Sequence, residues 1–306
     1  MSNKKIKILH AISYYLLEDV FFKCHQSLVE SINLVKNKNY ENKVMIIVNS
    51  KLLNKNFYLS DPINILVDKK KNLGFTGSAN FAFKYALDHG YDAVNLINQD
   101  IIFPKKTIPS LIKIFRDYKI KNKIGILSPV QLDDHSQYDP KMDNNLKKII
   151  QNKKYDKKFF LKIKFVNAAC WLVNADLIKL LGSMNPLLYH FGSDDDYVNR
   201  MNKTKFNLYI LPSVCVYHLR SFYKRQAINS YRVKQLVSEI HSYIYLKILD
   251  KQSFFCIFIM VFFKIIKKIF KGNINLKTFI KIFNKKLMLN MKKIHKYKEI
   301  IYIPFV

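Results

Sequence analysis

Acidic residues are scarce in this chain. Asp and Glu total 22 in 306 residues, against 52 Lys and Arg, for a formal charge of +30. A surplus of that size favours anionic partners: nucleotide diphosphates, anionic lipid or nucleic acid. Lys, Asn and Ile are abundant throughout, so part of the excess reflects composition rather than a site. Cysteine is sparse too. Cys24, Cys170, Cys215 and Cys256 stand far apart, which excludes zinc spacings and a C-x-x-C redox motif. Each sits among apolar residues and reads as a small core side chain. No disulfide framework follows, and a reducing cytosol is the expected compartment. Long apolar runs are missing as well. Phe254 to Phe263 is wholly apolar, but it falls well short of the roughly 20 residues that span a bilayer. The first apolar stretch, Ile6 to Ile12, is broken by Lys7 and His10, which makes it a strand rather than a signal peptide. There is no G-x-G-x-x-G, so a dinucleotide fingerprint is excluded. No internal repeat is visible.

What is present is a chain that is 49% hydrophobic, enough for a sizeable core. Strand-like runs at Ile6 to Ile12, Lys43 to Val48, Ile63 to Val67, Ala93 to Ile97 and Ile124 to Leu127 alternate with helical spacings. The helices are expected over Leu16 to Val35, Phe81 to Asp88 and Thr107 to Tyr118. Residues 131–162 read as a loop and a short helix. Phe165 to Val173 reads as a strand, Asp176 to Leu181 as a short helix closed by Gly182, and Asp196 to Asn202 as a helix. Leu208 to Leu211 and Val214 to His218 read as two further strands. Alternation of this kind predicts an α/β fold with a mostly parallel sheet covered on both faces.

Three segments carry candidate chemistry. Asn72-Leu73-Gly74-Phe75-Thr76-Gly77-Ser78-Ala79-Asn80 follows a strand and opens a helix. Gly74 and Gly77 permit close backbone approach and positive φ, and the helix N-terminus behind them offers free N–H groups to an anion. Asn98-Gln99-Asp100 ends the run Ala93 to Ile97. Ligands of open α/β sheets sit at the carboxyl ends of strands, so Asp100 is placed to hold a divalent cation bridging a diphosphate. An isolated strand-end Asp also caps turns. Asp194-Asp195-Asp196 is the densest acidic cluster, with Arg200 one helical turn beyond Asp196. One of these carboxylates is suited to take a proton from an acceptor hydroxyl, although acids also decorate helix N-termini. His218 ends a strand and is a candidate metal ligand, with Arg220 close by for phosphate. Trp171 is either a sugar-stacking surface or, more simply, core.

In order and spacing these segments resemble the inverting family 2 glycosyltransferases of the GT-A fold, especially the rhamnosyltransferase-like branch. That family has an Asn-x-Gly-Phe loop, a strand ending in Asn-x-Asp or Asp-x-Asp, a Gly-Phe-Asp-Glu segment, a Glu-Asp-x-Asp helix start with a following Arg, and a strand-end His. Here these are Asn72 to Asn80, Asn98 to Asp100, Gly182 to Leu187, Ser193 to Asp196 with Arg200, and His218. Ser193 stands in place of the usual Glu, and Asn98 where an Asp is often found. Strand two ends Val48-Asn49-Ser50, where the family places an Asp near the nucleotide base.

The resemblance implies a GT-A, Rossmann-like sheet over residues 1–222 and a metal-dependent, inverting transfer from a nucleotide-diphospho-sugar to an acceptor hydroxyl. The product would be bacterial surface polysaccharide or glycolipid, and the acceptor lipid-linked or a polysaccharide. It implies Asp100 and His218 as ligands of a divalent cation, Mn or Mg. Asn72, Gly74, Gly77, Asn80, Asn98 and Arg200 would contact the nucleotide-sugar. Asp194 would be the base, with Asp195 and Asp196 in support. Residues 223–306 resemble nothing named and read as a helical, Lys-rich extension. Within it, residues 251–306 carry 13 Lys, no Arg and one acid, Glu299. Lys264, Lys267, Lys268 and Lys271 share a helical face, and Lys277, Lys281 and Lys285 repeat the spacing. That pattern predicts peripheral attachment to an anionic membrane at its cytoplasmic, inner face. Without Arg or a recognisable motif, the tail does not point to nucleic acid. The alternative is a non-enzymatic membrane or polyanion binder on a degenerate GT-A scaffold.

Overall fold

Four apolar runs build one half of the sheet. They are β1 (Ile6–Tyr14), β2 (Tyr40–Val48), β3 (Asn64–Asp68) and β4 (Ala93–Asn98). In the computed structural model they pair in the order β3-β2-β1-β4, all parallel. The structure describes residues 5–35, 39–52, 55–120, 122–138, 144–151, 160–219, 229–270, 285–295 and 300–305. Arg220, Lys271, Lys277 and Lys281 lie outside them, as do the side chains of Lys267, Lys268 and Lys285.

The second half is mixed. β8 (Cys170–Asn174) runs antiparallel between β4 and β6 (Ile124–Asp133). β9 (Asn207–His218) is parallel to β6, while β5 (Ile101–Ile102) and β7 (Leu161–Lys162) are antiparallel to β9. The order continues β4-β8-β6-β9-β5. Parallel pairing thus holds across the first four strands and gives way where β8 enters reversed. β9 is one strand rather than the expected two. The register with β6 jumps from Leu211 to Cys215, a bulge that absorbs Pro212, which has no N–H for a ladder.

Both faces are covered, as the two-sided apolar strands require. Helices α1 (Glu18–Asn33), α2 (Lys55–Leu59) and α4 (Thr107–Tyr118) pack on one core. On the other lie α3 (Gly74–Asp88), α6 (Ala175–Leu181) and α7 (Ser193–Met201), around a fully buried Trp171. Trp171 is core and not a sugar platform. The remaining short helix, α5 (Asn144–Gln151), precedes β7. His10, which interrupts the first apolar run, is fully buried. Its ring lies 3.1 Å from Asn42 Oδ1 and 3.2 Å from Asn95 Nδ2, a polar rung across β2, β1 and β4. Burial pushes its pKa down to about 4, so it is neutral at physiological pH.

The C-terminal part is helical as expected, with α8 (Asn229–Leu249), α9 (Phe254–Phe270) and α10 (Lys285–His295). Ile240, Ile244, Ile248, Ile257, Val261 and Ile294 form its small core, into which Leu188 of the first domain inserts. Residues 300–305 then return to the sheet domain. Ile303 N–H donates to Leu181 O at 2.9 Å, and Ser183 N–H donates to Ile303 O at 2.7 Å. A boundary at residue 222 therefore does not leave two independent packing units.

Candidate active site

The carboxyl ends of β1, β2 and β4 are bound together by short polar side chains. Gln99 accepts from Tyr15 N–H at 2.6 Å and donates to Tyr15 O at 2.8 Å. Asn49, buried at the end of β2, donates to Ser13 Oγ and Ser78 Oγ and accepts from Leu73 N–H at 2.7 Å. Asn49 thus ties the start of α3 to the end of β1. Below this lattice lies a cavity of ≈ 210 Å³ lined by Ser13, Tyr15, Asn49, Asn72, Gly74, Phe75, Asn98, Gln99, Asp100 and His190.

Asp100 and His218 meet at its edge. The two-residue ladder of β5 on β9 sets Ile101 opposite His218, and Leu219 N–H donates to Asp100 O at 2.8 Å. The result is an Asp100 Oδ2 to His218 Nε2 distance of 3.3 Å, with both side chains largely buried. Among the described residues no cluster of three or more His, Cys, Asp or Glu could hold a metal alone. One carboxylate and one imidazole nevertheless fit a Mg²⁺ or Mn²⁺ whose shell is completed by phosphate oxygens and water.

The glycine-containing segment differs from the expected anion loop. Helix α3 begins at Gly74, so only Asn72 and Leu73 remain outside it. Asn72 Oδ1 accepts from Gly74 N–H at 2.8 Å, an Asx-turn that launches the helix. Gly74 has φ +66°, and a Cβ there would lie 2.6 Å from the Tyr189 ring. The Tyr189 hydroxyl in turn donates to Asn72 O at 2.8 Å. Thr76 Oγ1 donates to Leu188 O. Asn80 donates to Met184 O at 2.9 Å and accepts from Met184 N–H at 2.7 Å. Gly77 has no left-handed backbone; it sits inside α3 against Leu73. Neither Gly77 nor Asn80 lines the cavity. The motif latches the 184–191 loop onto α3, and only its first residues face the cavity.

The acidic cluster divides. Asp194 and Asp195, half-buried on the first turn of α7, line a second cavity of ≈ 650 Å³. Asp196 instead points inward to Arg200 at 2.9 Å, and both are buried. Burial pushes the Asp196 carboxyl up, and the Arg200 guanidinium opposes that rise. Arg200 also donates to Leu181 O, Ser183 O and Ile301 O. Asp196 and Arg200, expected near catalysis and at the nucleotide-sugar, line neither cavity and form an internal clamp.

Phe75, Asn98 and His190 line both cavities, so the two share a wall. The larger one is also lined by His218, Asn167 and Asn199, and α8 and α9 close its far side with Glu239, Tyr243, Lys247 and Lys264. Lys264 lies 3.7 Å from Glu239 and its Nζ stands 4.0 Å from the centroid of the Tyr243 ring. Lys264 therefore belongs to the cavity wall and not to an outward basic face. Sequence reading missed Tyr15, Asn49, His190, Glu239 and Tyr243. The polar end of strand two and the aromatic run Tyr189-His190-Phe191 just before the acids were the available signals.

No protein-family model matches the sequence, and no curated protein matches it. Solved structures do share its fold. GalNAc-T7 with UDP, GalNAc and Mn²⁺ aligns over 70% of this chain with TM-score 0.52 and 9% identity. The Pyrobaculum calidifontis mannosyltransferase PcManGT, in complex with GDP-Man and Mn²⁺, aligns over 77% with TM-score 0.52 and 12% identity. TarS 1-349 of S. aureus in complex with UDP aligns over 72% with TM-score 0.50 and 12% identity. The alignments cover 43%, 63% and 63% of those chains. At these identities the likeness is one of fold: the sheet and its helices form a GT-A glycosyltransferase fold, with the later helices as a C-terminal extension.

Proposed function

We propose that this chain is a glycosyltransferase that moves a sugar from a nucleotide-diphospho-sugar to an acceptor hydroxyl in the building of bacterial surface polysaccharide or glycolipid. The observation that carries the reading is the shared wall. A cavity with the Asp100–His218 pair at its edge opens beside one lined by Asp194 and Asp195, with Asn98 and His190 common to both. A donor and an acceptor can lie in adjoining cavities with their reacting atoms in contact, and orientation of that kind supplies much of an enzyme's acceleration. The fold neighbours with UDP or GDP-Man, two of them with Mn²⁺, support the donor class.

Asp100 and His218 would hold a divalent cation, Mn or Mg, which would supply positive charge for the departing diphosphate. Asn72, Gly74 and Asn98 line the donor side. Asp194 takes the proton of the acceptor hydroxyl, with Asp195 beside it. Direct in-line displacement assisted by Asp194 inverts the anomeric configuration. The same features fit the inverting family 2 enzymes. The enzyme works in the cytoplasm at the inner face of the cell membrane, on a lipid-linked or polysaccharide acceptor. A panel of nucleoside-diphospho-sugars incubated with the protein and Mn²⁺ or Mg²⁺ tests the reading. Metal-dependent hydrolysis of one donor supports it. Equal stabilisation by any polyanion, with no donor cleaved, supports a binder on this scaffold instead.

A further inference from the structure

Helix α9 has two unlike faces. Ile257 and Val261 are buried in one cluster with Ile240, Ile244 and Ile248 of α8 and Ile294 of α10. Phe255, Phe258, Phe262 and Phe263 are 74%, 62%, 47% and 65% exposed, and Ile259 lies among them. Residues 255, 258, 259 and 262 form one stripe of a helix. Lys264 breaks this apolar run in sequence but not on the surface, because it turns to Glu239 and Tyr243 on the opposite side. A contiguous exposed aromatic stripe marks an interaction surface.

Charge identifies the occupant. Residues 251–306 hold 13 Lys and one acid, and Lys251, Lys292 and Lys293 are exposed around the stripe's own subdomain. A second copy of the chain would bring another +30 charge against these lysines. An anionic lipid surface satisfies the aromatic and the basic groups together. Among the described residues no helix is long and apolar enough to cross a membrane, which leaves a helix lying in the interface. We propose that the Phe255–Phe263 face of α9 inserts into the headgroup–acyl boundary of an anionic bilayer. The inference deepens the membrane placement within the proposed function. Since Lys264 lines the acceptor-side cavity from the inner side of the same helix, that cavity lies within one helix diameter, about 10 Å, of the lipid.

Trp171 is the single tryptophan and is fully buried, so a Trp placed on α9 reports its own surroundings. In full-length Phe258→Trp, phosphatidylglycerol-containing vesicles should shift the emission to the blue, and lipids brominated on their chains should quench it. Phe57→Trp, on the exposed surface of α2, should show neither effect. Phe258→Asp/Phe262→Asp, both at exposed positions, should melt like the wild type yet lose flotation with these vesicles by at least about tenfold, because two aromatic rings no longer leave water. Unshifted Phe258→Trp emission, or undiminished flotation of the double variant, overturns the proposal. So does a concentration-dependent dimer that the double variant abolishes while vesicles are ignored. These readouts need no donor. An inactive protein that binds vesicles through α9 counts against the enzymatic reading alone, and an active one that ignores them counts against this inference alone.

Discussion

Asp100 and His218 are 3.3 Å apart because β5 pairs with β9, which sets a carboxylate oxygen of the type a hard divalent cation prefers beside an imidazole nitrogen. Asp100→Ala should therefore abolish transfer and remove metal-dependent stabilisation by nucleoside diphosphates, with the melting temperature in the absence of ligand close to wild type. A thermal-shift series with and without Mn²⁺ checks this, and a variant that is still stabilised would break the assignment. Asp194 and Asp196 should separate under the same conservative change. Asp194→Asn keeps the shape and removes the basicity, so turnover should fall about 100-fold or more with donor binding retained. Asp196→Asn should act on the fold, because it leaves the buried Arg200 charge unpaired. A destabilisation of about 3 kcal/mol is expected, visible in denaturant unfolding. His10 gives a pH signature. Its folded pKa of about 4 lies below the ordinary value of 6.5, so between those pH values the unfolded chain binds the proton more readily. Stability is full above pH 6.5 and is lost as pH falls toward 4, by about 3 kcal/mol in all. Burial lowers His25 as well and adds in the same direction. His10→Gln should flatten the decline, so the stability gap between variant and wild type narrows on acidification.

At the scale of elements, α3 and the loop before α7 work as one unit. Tyr189 packs on Gly74 and bonds to Asn72, Thr76 bonds to Leu188 and Tyr189, and Asn80 bonds twice to Met184. Gly74→Ala puts a Cβ at φ +66°, which costs about 1–2 kcal/mol, and drives it into the Tyr189 ring. Because Tyr189 precedes His190 on the shared wall, the kcat for transfer should fall more than the stability loss explains. Steady-state kinetics beside a thermal melt separates the two effects. Much of this level was legible in sequence. Apolar runs that stop at polar residues marked β1, β2 and β4 and put Asn98 and Asp100 at a strand end. The spacing predicts a helix over Thr107 to Tyr118, as observed. What was not legible is which distant group each polar side chain meets. Asn80 and Arg200 carry the residue types of a sugar-binding site, but Met184, Leu181 and Ile301 reach them only through the fold. The helical pattern begins only at Phe81, short of the observed start at Gly74, because glycines weaken it; here the tie to the 184–191 loop supplies what propensity lacks.

At the scale of the whole molecule, the extension packs on the sheet domain around Leu188 and Gly192 and again along Leu181–Ser183. Gly192 faces Leu246 of α8, where a Cβ would lie 2.8 Å away, and residues 300–305 lie along Leu181–Ser183. Ile303 is buried, Ser183 Oγ donates to Pro304 O at 3.0 Å, and Ile301 O accepts from the Arg200 clamp. The end of α6, the start of the 184–191 loop and α7 are therefore held partly by the last described residues of the chain. Removing everything after Asp250 would take away the α9 stripe and this segment at once. Loss of vesicle binding in that truncation could not be separated from damage to the sheet domain. Ile303→Asp separates them, because it buries a carboxylate where an alkyl side chain packed and leaves α9 untouched. It should lower stability by about 3 kcal/mol, from the lost burial and the charge taken from water, and slow transfer by loosening the loop that carries His190. Its flotation with phosphatidylglycerol vesicles, measured below its melting temperature, should equal that of the wild type. A melt unchanged by Ile303→Asp would mean that the returning segment does not hold the sheet domain, and the truncation would then become an acceptable test of α9.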